Sequence, residues 1–345
     1  MNMCNNTRRT KIAGGGNKHQ GFTLVELMIA ITLGFIVVGA VGYLYLNSRQ
    51  SFRLTDNMSR MQENARLAIE TLARDVRMTG YVGCGNLQNA TVTTIANPPV
   101  PNLSPSNAIT GDDFVSPTSS YLGTTITRSA GDTITVMGAF AGGVPLTGNL
   151  APSNANIQIS GNPYDFAKDD VLMVSGCTNA DIFRATSVSS GGGTVTLAHG
   201  NSTNTGNRVG TYGVDGQVFK MERYSYFIGI NNHGKPGLYR TNTVTGTATN
   251  TQELVEDVAD MQIEYGRDTN ADGSADSYSD AAGVGTNWQQ VVSARISLLL
   301  VSPENNVVAS PQTYSYMGVP VKAGTSDRRL YQVLTSTIAL RNRAP

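Results

Sequence analysis

Phe22-Thr-Leu-Val-Glu26-Leu-Met-Ile-Ala-Ile-Thr-Leu-Gly-Phe-Ile-Val-Val-Gly-Ala-Val-Gly-Tyr43-Leu-Tyr45-Leu46 is a 25-residue apolar run interrupted by one charge, Glu26. As a helix it extends roughly 37 Å, more than the ~30 Å hydrocarbon core of a bilayer. Residues 1–21 ahead of it hold Arg8, Arg9, Lys11 and Lys18 and no acid. Basic residues before an apolar span stay cytoplasmic, so this pattern exports everything downstream. Tyr43 and Tyr45 fall at the far end, where aromatic rings favour the membrane interface.

Three readings compete for this run. A secretory signal peptide would use Val38 and Ala40 as a small-residue cleavage site, but the apolar stretch continues to Leu46, which is long for such a signal. A plain transmembrane anchor fits the length. The third reading is a signal cut ahead of the apolar helix instead of behind it. Glu26 separates them, because a carboxylate deep in an apolar helix costs about 2.5–3.5 kcal/mol on insertion scales and neither a signal peptide nor a plain anchor has a use for that cost. If the chain is cut between Gly21 and Phe22, Glu26 becomes the fifth residue of the product. Its carboxylate can then meet the new amino terminus of a neighbouring copy and neutralise both charges in an apolar assembly.

The string Gly21-Phe22-Thr23-Leu24-Val25-Glu26, behind a basic leader and opening a long apolar helix, resembles the type IV prepilin signature. The resemblance implies cleavage after Gly21 and N-methylation of Phe22 by a prepilin peptidase, with Glu26 aligning subunits. Later segments narrow it. Gly80-Tyr-Val-Gly-Cys-Gly85, Lys235-Pro-Gly-Leu-Tyr-Arg240, Trp288 leading into Val291–Val301, and the ending Thr335-Ser-Thr-Ile-Ala-Leu-Arg-Asn-Arg343 look like the minor pilins called PilW. Everything but the stretch from about 90 to 215 takes part. The resemblance implies a minor pilin that primes or joins type IV pilus assembly, at the filament tip. Its partners would be other minor pilins, the major pilin and the inner-membrane assembly platform. The prepilin would sit in the inner membrane with its globular part periplasmic, and later in the extracellular pilus. Such minor pilins also resemble the GspJ-like pseudopilin of type II secretion, which stays open as the alternative. A periplasmic binding protein exported by the general secretory route is the third.

Past the membrane run the helix is expected to continue over 47–79. Leu54, Met58, Met61, Ala65, Ala68, Leu72 and Val76 step by three or four and form one apolar stripe, and Gly80 and Gly83 end the pattern. Residues 80–345 then change character. Asp132–Met137, Val171–Ser175, Ile182–Val188, Thr194–Ala198, Val218–Ile230, Met261–Tyr265, Val291–Val301 and Leu330–Leu340 read as strands between Gly, Pro, Asn and Ser clusters. The fold class is therefore α+β: a long amino-terminal helix packed on a mainly antiparallel sheet, pilin-like. The later, more apolar strands are expected to form the main sheet against the helix. The turn-rich stretch around 130–215 reads as an inserted β subdomain. The proline-rich segment 97–120 reads as an irregular loop, and Gly191-Gly-Gly193 as a turn between two strands.

The whole chain is balanced, with 25 basic and 25 acidic residues; without the first 21 it holds 21 against 25, a net of −4. Nothing in that balance indicates nucleic-acid binding. Of three cysteines, Cys4 lies in the leader, which leaves Cys84 and Cys177 as an even pair. In an oxidising compartment they form a disulfide; two buried free thiols are the other reading.

Asp268-Thr-Asn270-Ala-Asp272-Gly273-Ser274-Ala-Asp276 places oxygen-bearing side chains at the spacing of a calcium loop with its glycine at the sixth place. The bidentate glutamate expected at the twelfth place is missing; Ser279 stands there. Structural calcium held by Asp268, Asn270, Asp272, Ser274 and Asp276 is one reading, and a hydrophilic hairpin turn is the other. No catalytic pattern emerges. His19, His199 and His233 lack metal-ligand spacing, no Gly-x-Ser-x-Gly elbow occurs, and the cysteines are not a CxxC pair. The chain reads as structural and not as an enzyme.

Overall fold

The computed structural model describes residues 21–113, 124, 126–129, 131–152 and 156–343. Residues 1–20, with the four basic residues of the leader and Cys4, lie outside them, as does most of the segment after 113 in the proline-rich stretch. The chain forms two compact units, Met1–Arg53 and Leu54–Pro345.

One helix, α1 (Leu24–Arg77), begins in the first unit and ends in the second. Within the first unit every described residue is exposed. An 18-residue window there reaches a mean hydropathy of 2.5 with none of it buried, long and apolar enough to cross a membrane.

In the second unit the helix is amphipathic. Asn57, Met61, Ala65, Ala68, Leu72 and Val76 are buried, a seam stepping by three or four. Two expected stripe residues are not buried. Met58 is 42 % exposed, because it sits one helical position round from Asn57, which takes the buried place, and Leu54 is only half-buried. Each fully buried leucine such as Leu72 contributes about 2 kcal/mol relative to exposure. The helix stops at Arg77, two residues short of the expected end. Met78 N–H still reaches Arg74 O (3.2 Å), but Thr79 N–H bonds Val76 O (3.3 Å), a tighter turn. Gly80 follows at φ +72° and gives its N–H to Met137 O at 2.8 Å, so the chain leaves the helix by docking on a strand. A Cβ there would come within 2.9 Å of a Leu87 methyl.

Strands follow as β1 (Thr91–Thr94), β2 (Ile109–Asp112), β3 (Thr127–Arg128), β4 (Thr133–Ala139), β5 (Val144–Pro145), β6 (Asn156–Ile159), β7 (Val171–Ser175), β8 (Asn179–Arg184), β9 (Ser187–Gly191) and β10 (Thr194–Ala198). The second half adds β11 (Gln217–Ile230), β12 (Pro236–Asn242), β13 (Thr249–Glu256), β14 (Val258–Arg267), β15 (Ser277–Ser279), the short helix α2 (Ala281–Val284), β16 (Val291–Val301), β17 (Thr313–Tyr316), β18 (Val319–Lys322) and β19 (Tyr331–Ala339). Pairing is mostly antiparallel, with β1 and β8 parallel. The fold is α+β.

The larger sheet runs β1-β8-β7-β11-β12-β13, with β4 also on β11. A second sheet runs β15-β14-β16-β19. The chain passes from one to the other at Asp257, which holds φ +63°, donates its N–H to Pro236 O (2.9 Å) and accepts from Val301 N–H (3.0 Å). Both sheets share one core with the helix: Met61, Leu72 and Val76 cluster with Tyr226 and Leu238 from the first sheet and Ile263, Ile296 and Ile338 from the second. The helix therefore packs against both sheets and not only against the later strands.

The stretch 130–215 divides. Strands β4, β7 and β8 belong to the large sheet, while β6-β10-β9 form a three-stranded sheet of their own. Ile157, Ile159 and Leu197 of that sheet share a core with Leu172, Phe183 and Val218 of the large one. Gly192 and Gly193 turn β9 into β10 at φ +60° and +81°. The run 182–188 is broken at a corner, where Ala185 N–H bonds Asp170 O and Thr186 N–H bonds Ala198 O. Strand β2 lies inside the segment expected to be irregular, paired with β4.

Candidate functional site

The amino-terminal signal opens with a reciprocal cap. Thr23 Oγ1 accepts from Glu26 N–H at 3.3 Å, while Glu26 Oε2 accepts from Thr23 N–H at 3.1 Å and from the Thr23 hydroxyl at 3.0 Å. This is the Thr-x-x-Glu capping box, which satisfies helix-start donors that would otherwise lack partners. Phe22 is 88 % exposed directly before it, next to Gly21. The cap holds the Glu26 carboxylate at the helix start on Thr23, the residue after Phe22.

At the other end of α1 lies a feature that sequence reasoning missed. Asp75 is 1 % exposed. It accepts from the Tyr226 hydroxyl of β11, from Arg240 of β12 (3.4 Å) and from Arg74 (3.0 Å). Arg240 also lies over the Tyr224 ring, 4.5 Å from its centroid. Burial, and then the Asp75 charge, push the Tyr226 hydroxyl well above the usual tyrosine range. The available signal was an acid inside the apolar stripe, between Leu72 and Val76.

Cys84 and Cys177 form a disulfide with Cα atoms 4.8 Å apart. It ties the turn after the helix to the corner between β7 and β8. Ser175 Oγ reinforces the tie by donating to Val82 O, and a Cβ on Gly85 would lie 2.6 Å from Cys177 O.

The patterns of known families meet this framework at two places. Residues 225–342 match the family described as Type IV Pilus-assembly protein W, and residues 16–42 match the prokaryotic N-terminal methylation motif. Together these matches support a PilW-family type IV pilin. No curated protein and no solved structure matches the chain. The PilW segment takes in Tyr226 and Arg240, the crossing at Asp257 and all four strands of the second sheet. The methylation motif spans the expected cut site, the cap and most of the exposed apolar run.

The loop after β14 is closed by its own side chains. Asp268 accepts from the backbone N–H of Asn270 (3.2 Å), Ala271 (2.6 Å), Asp272 (3.3 Å) and Gly273 (2.7 Å). The Asn270 amide donates to Asp272 (3.1 Å) and Asp276 (3.3 Å), and Asp276 accepts from Thr269 N–H (2.7 Å) and its hydroxyl (2.6 Å). Those bonds hold Asp276 below the usual carboxylate range. Asn270, Asp272 and Asp276 thus converge, bridged by amide hydrogens. Ser274 offers its backbone N–H to Asp272 (2.8 Å). Among the described residues no three His, Cys, Asp or Glu side chains form a set that could hold a metal ion. The bonds present are those of a stapled turn.

Proposed function

We propose that this pilin is a minor subunit that primes or joins type IV pilus assembly at the filament tip. The observation that carries the proposal is the capped Glu26 at the head of an exposed apolar run, in a chain whose residues 225–342 match the PilW family. In the reading, prepilin peptidase cuts after Gly21 and methylates Phe22, and Glu26 receives the new amino terminus of a neighbouring subunit. The apolar helix moves from the inner membrane into a bundle of like helices, with other minor pilins and the major pilin as neighbours and the assembly platform as the machine. The globular unit makes lateral contacts in the periplasm and later outside the cell. The role is structural, without catalysis.

Mass spectrometry of the mature amino terminus tests the first step: methylated Phe22 is expected, and a start after Ala40 or an intact Met1 overturns the reading. Glu26→Ala then tests alignment. It should leave processing intact and reduce incorporation into filaments; normal incorporation removes Glu26 from the mechanism.

A further inference from the structure

Strand β19 terminates the second sheet. Its nine residues pair with β16 in unbroken register from Tyr331↔Val301 to Ala339↔Ser293. Leu340 N–H bonds Val292 O, and Ser302 N–H bonds Leu330 O. Even-numbered residues therefore exchange bonds with β16, and Val333, Thr335, Thr337 and Ala339 turn their backbone N–H and C=O to the open side. The same alternation is visible at Tyr331, whose outward N–H and C=O are both taken by the Gln312 side-chain amide at 2.9 Å each. A side chain imitates there what a neighbouring strand would do along the rest of the edge.

Proteins blunt exposed sheet edges with short strands, bulges or charges. The other terminal strands of the two large sheets follow that rule. Strand β15 has three residues and β1 and β2 have four each, while β13 carries two register shifts and the charges of Glu253 and Glu256. Strand β19 has no charge, no proline and no bulge. Beside it, between β19 and the last turns of α1, runs a groove of about 690 Å³. Ile69, Ala73 and Met78 give it an apolar floor, and Arg74, Arg77 and Arg341 give it positive charge. Its one acid, Glu70, is already paired with Arg66 at 2.7 Å. Arg77 and Arg341 have no acidic partner among the described residues.

We propose that this edge and groove bind an extended acidic polypeptide segment of a partner protein, added to the sheet as a fifth strand beside β19. Main-chain bonds to Val333, Thr335, Thr337 and Ala339 would supply affinity, and carboxylates facing Arg77 and Arg341 would supply selection. A phosphate or an anionic headgroup could meet the arginines but not the row of alternating donors and acceptors.

The test uses the full chain in detergent micelles and a synthetic peptide as long as β19, of alternating valine and threonine with two glutamates, against the same peptide with lysines. The glutamate peptide is expected to slow hydrogen exchange at the amides of Thr335 and Thr337, and the lysine peptide is not. Thr337→Pro, which removes one outward N–H, should abolish that protection. Arg77→Glu with Arg341→Glu, both at exposed positions, should weaken the glutamate peptide about ten-fold and favour the lysine peptide; this pair keeps the test decisive where the proline variant misfolds. No protection by either peptide, or equal protection by both, overturns the proposal.

Discussion

Asp75 of the helix and Tyr226 of β11, 151 residues apart, share a buried hydrogen bond. Arg240, from the next strand, completes the contact at 3.4 Å. Removing the carboxylate charge leaves Arg240 partly buried without its counter-ion, and such losses cost about 3–5 kcal/mol. Asp75→Asn should therefore lower the unfolding free energy of the globular unit by about that much, read by denaturant titration. Tyr226→Phe, which removes only the hydroxyl, should cost about 1–3 kcal/mol. A change below about 0.5 kcal/mol in Asp75→Asn would make the network incidental.

The disulfide closes a loop of 93 residues. On chain-entropy grounds, a loop that long is worth about 4.5 kcal/mol. Nonreducing mass analysis should find the mature chain lighter by the two thiol hydrogens. Cys84→Ser with Cys177→Ser should cost about 2–5 kcal/mol, and an equal melting temperature with and without reductant would contradict it.

Stability should peak in mildly acidic solution. Burial raises the carboxyls of Glu222, Asp257 and Asp260 above their ordinary values. A raised carboxyl favours folding while it stays protonated, and that stability is lost as pH rises through the folded-state value. Asp327, bonded to Arg329, lies well below the usual carboxylate range and acts in the opposite sense: its stability is present above the ordinary value and lost as pH falls through the folded one. Glu222→Gln should flatten the decline on the neutral side, and a pH-independent melting curve for the wild type would refute this account.

Calcium entry into the 268–276 loop is a separate proposal. It requires the Asn270 amide to turn its oxygen inward, replacing the hydrogens that now bridge Asp272 and Asp276. Calcium titration should then raise the melting temperature, with Asp272→Ala abolishing the rise. A flat wild-type curve assigns the loop to its turn role alone.

Local chemistry was legible in the sequence, and non-local chemistry was not. The string from Gly21 to Glu26 speaks through adjacent residues, and the seam from Met61 to Val76 through helical period. The error at Met58 is one of phase, since apolar character marks a stripe without fixing which edge turns inward. Strands β12 and β13 were missed as strands because their threonines and asparagines carry no apolar alternation; they are held by pairing with distant partners. The corner at Ala185 and Thr186 is set by bonds to Asp170 and Ala198, which no local pattern encodes. Asp75 was visible as an oddity, but its partners lie on strands far along the chain.

The bridge between Cys84 and Cys177 also sets a path for force. Cys84 follows the helix by only seven residues. Tension drawn along the chain from the helix as far as that cysteine crosses directly to the β7–β8 corner, bypassing the whole stretch between the two sulfurs. Strands β1, β2 and β4 lie inside the loop it closes, so a pull from the helix side has no backbone route by which to peel them one after another.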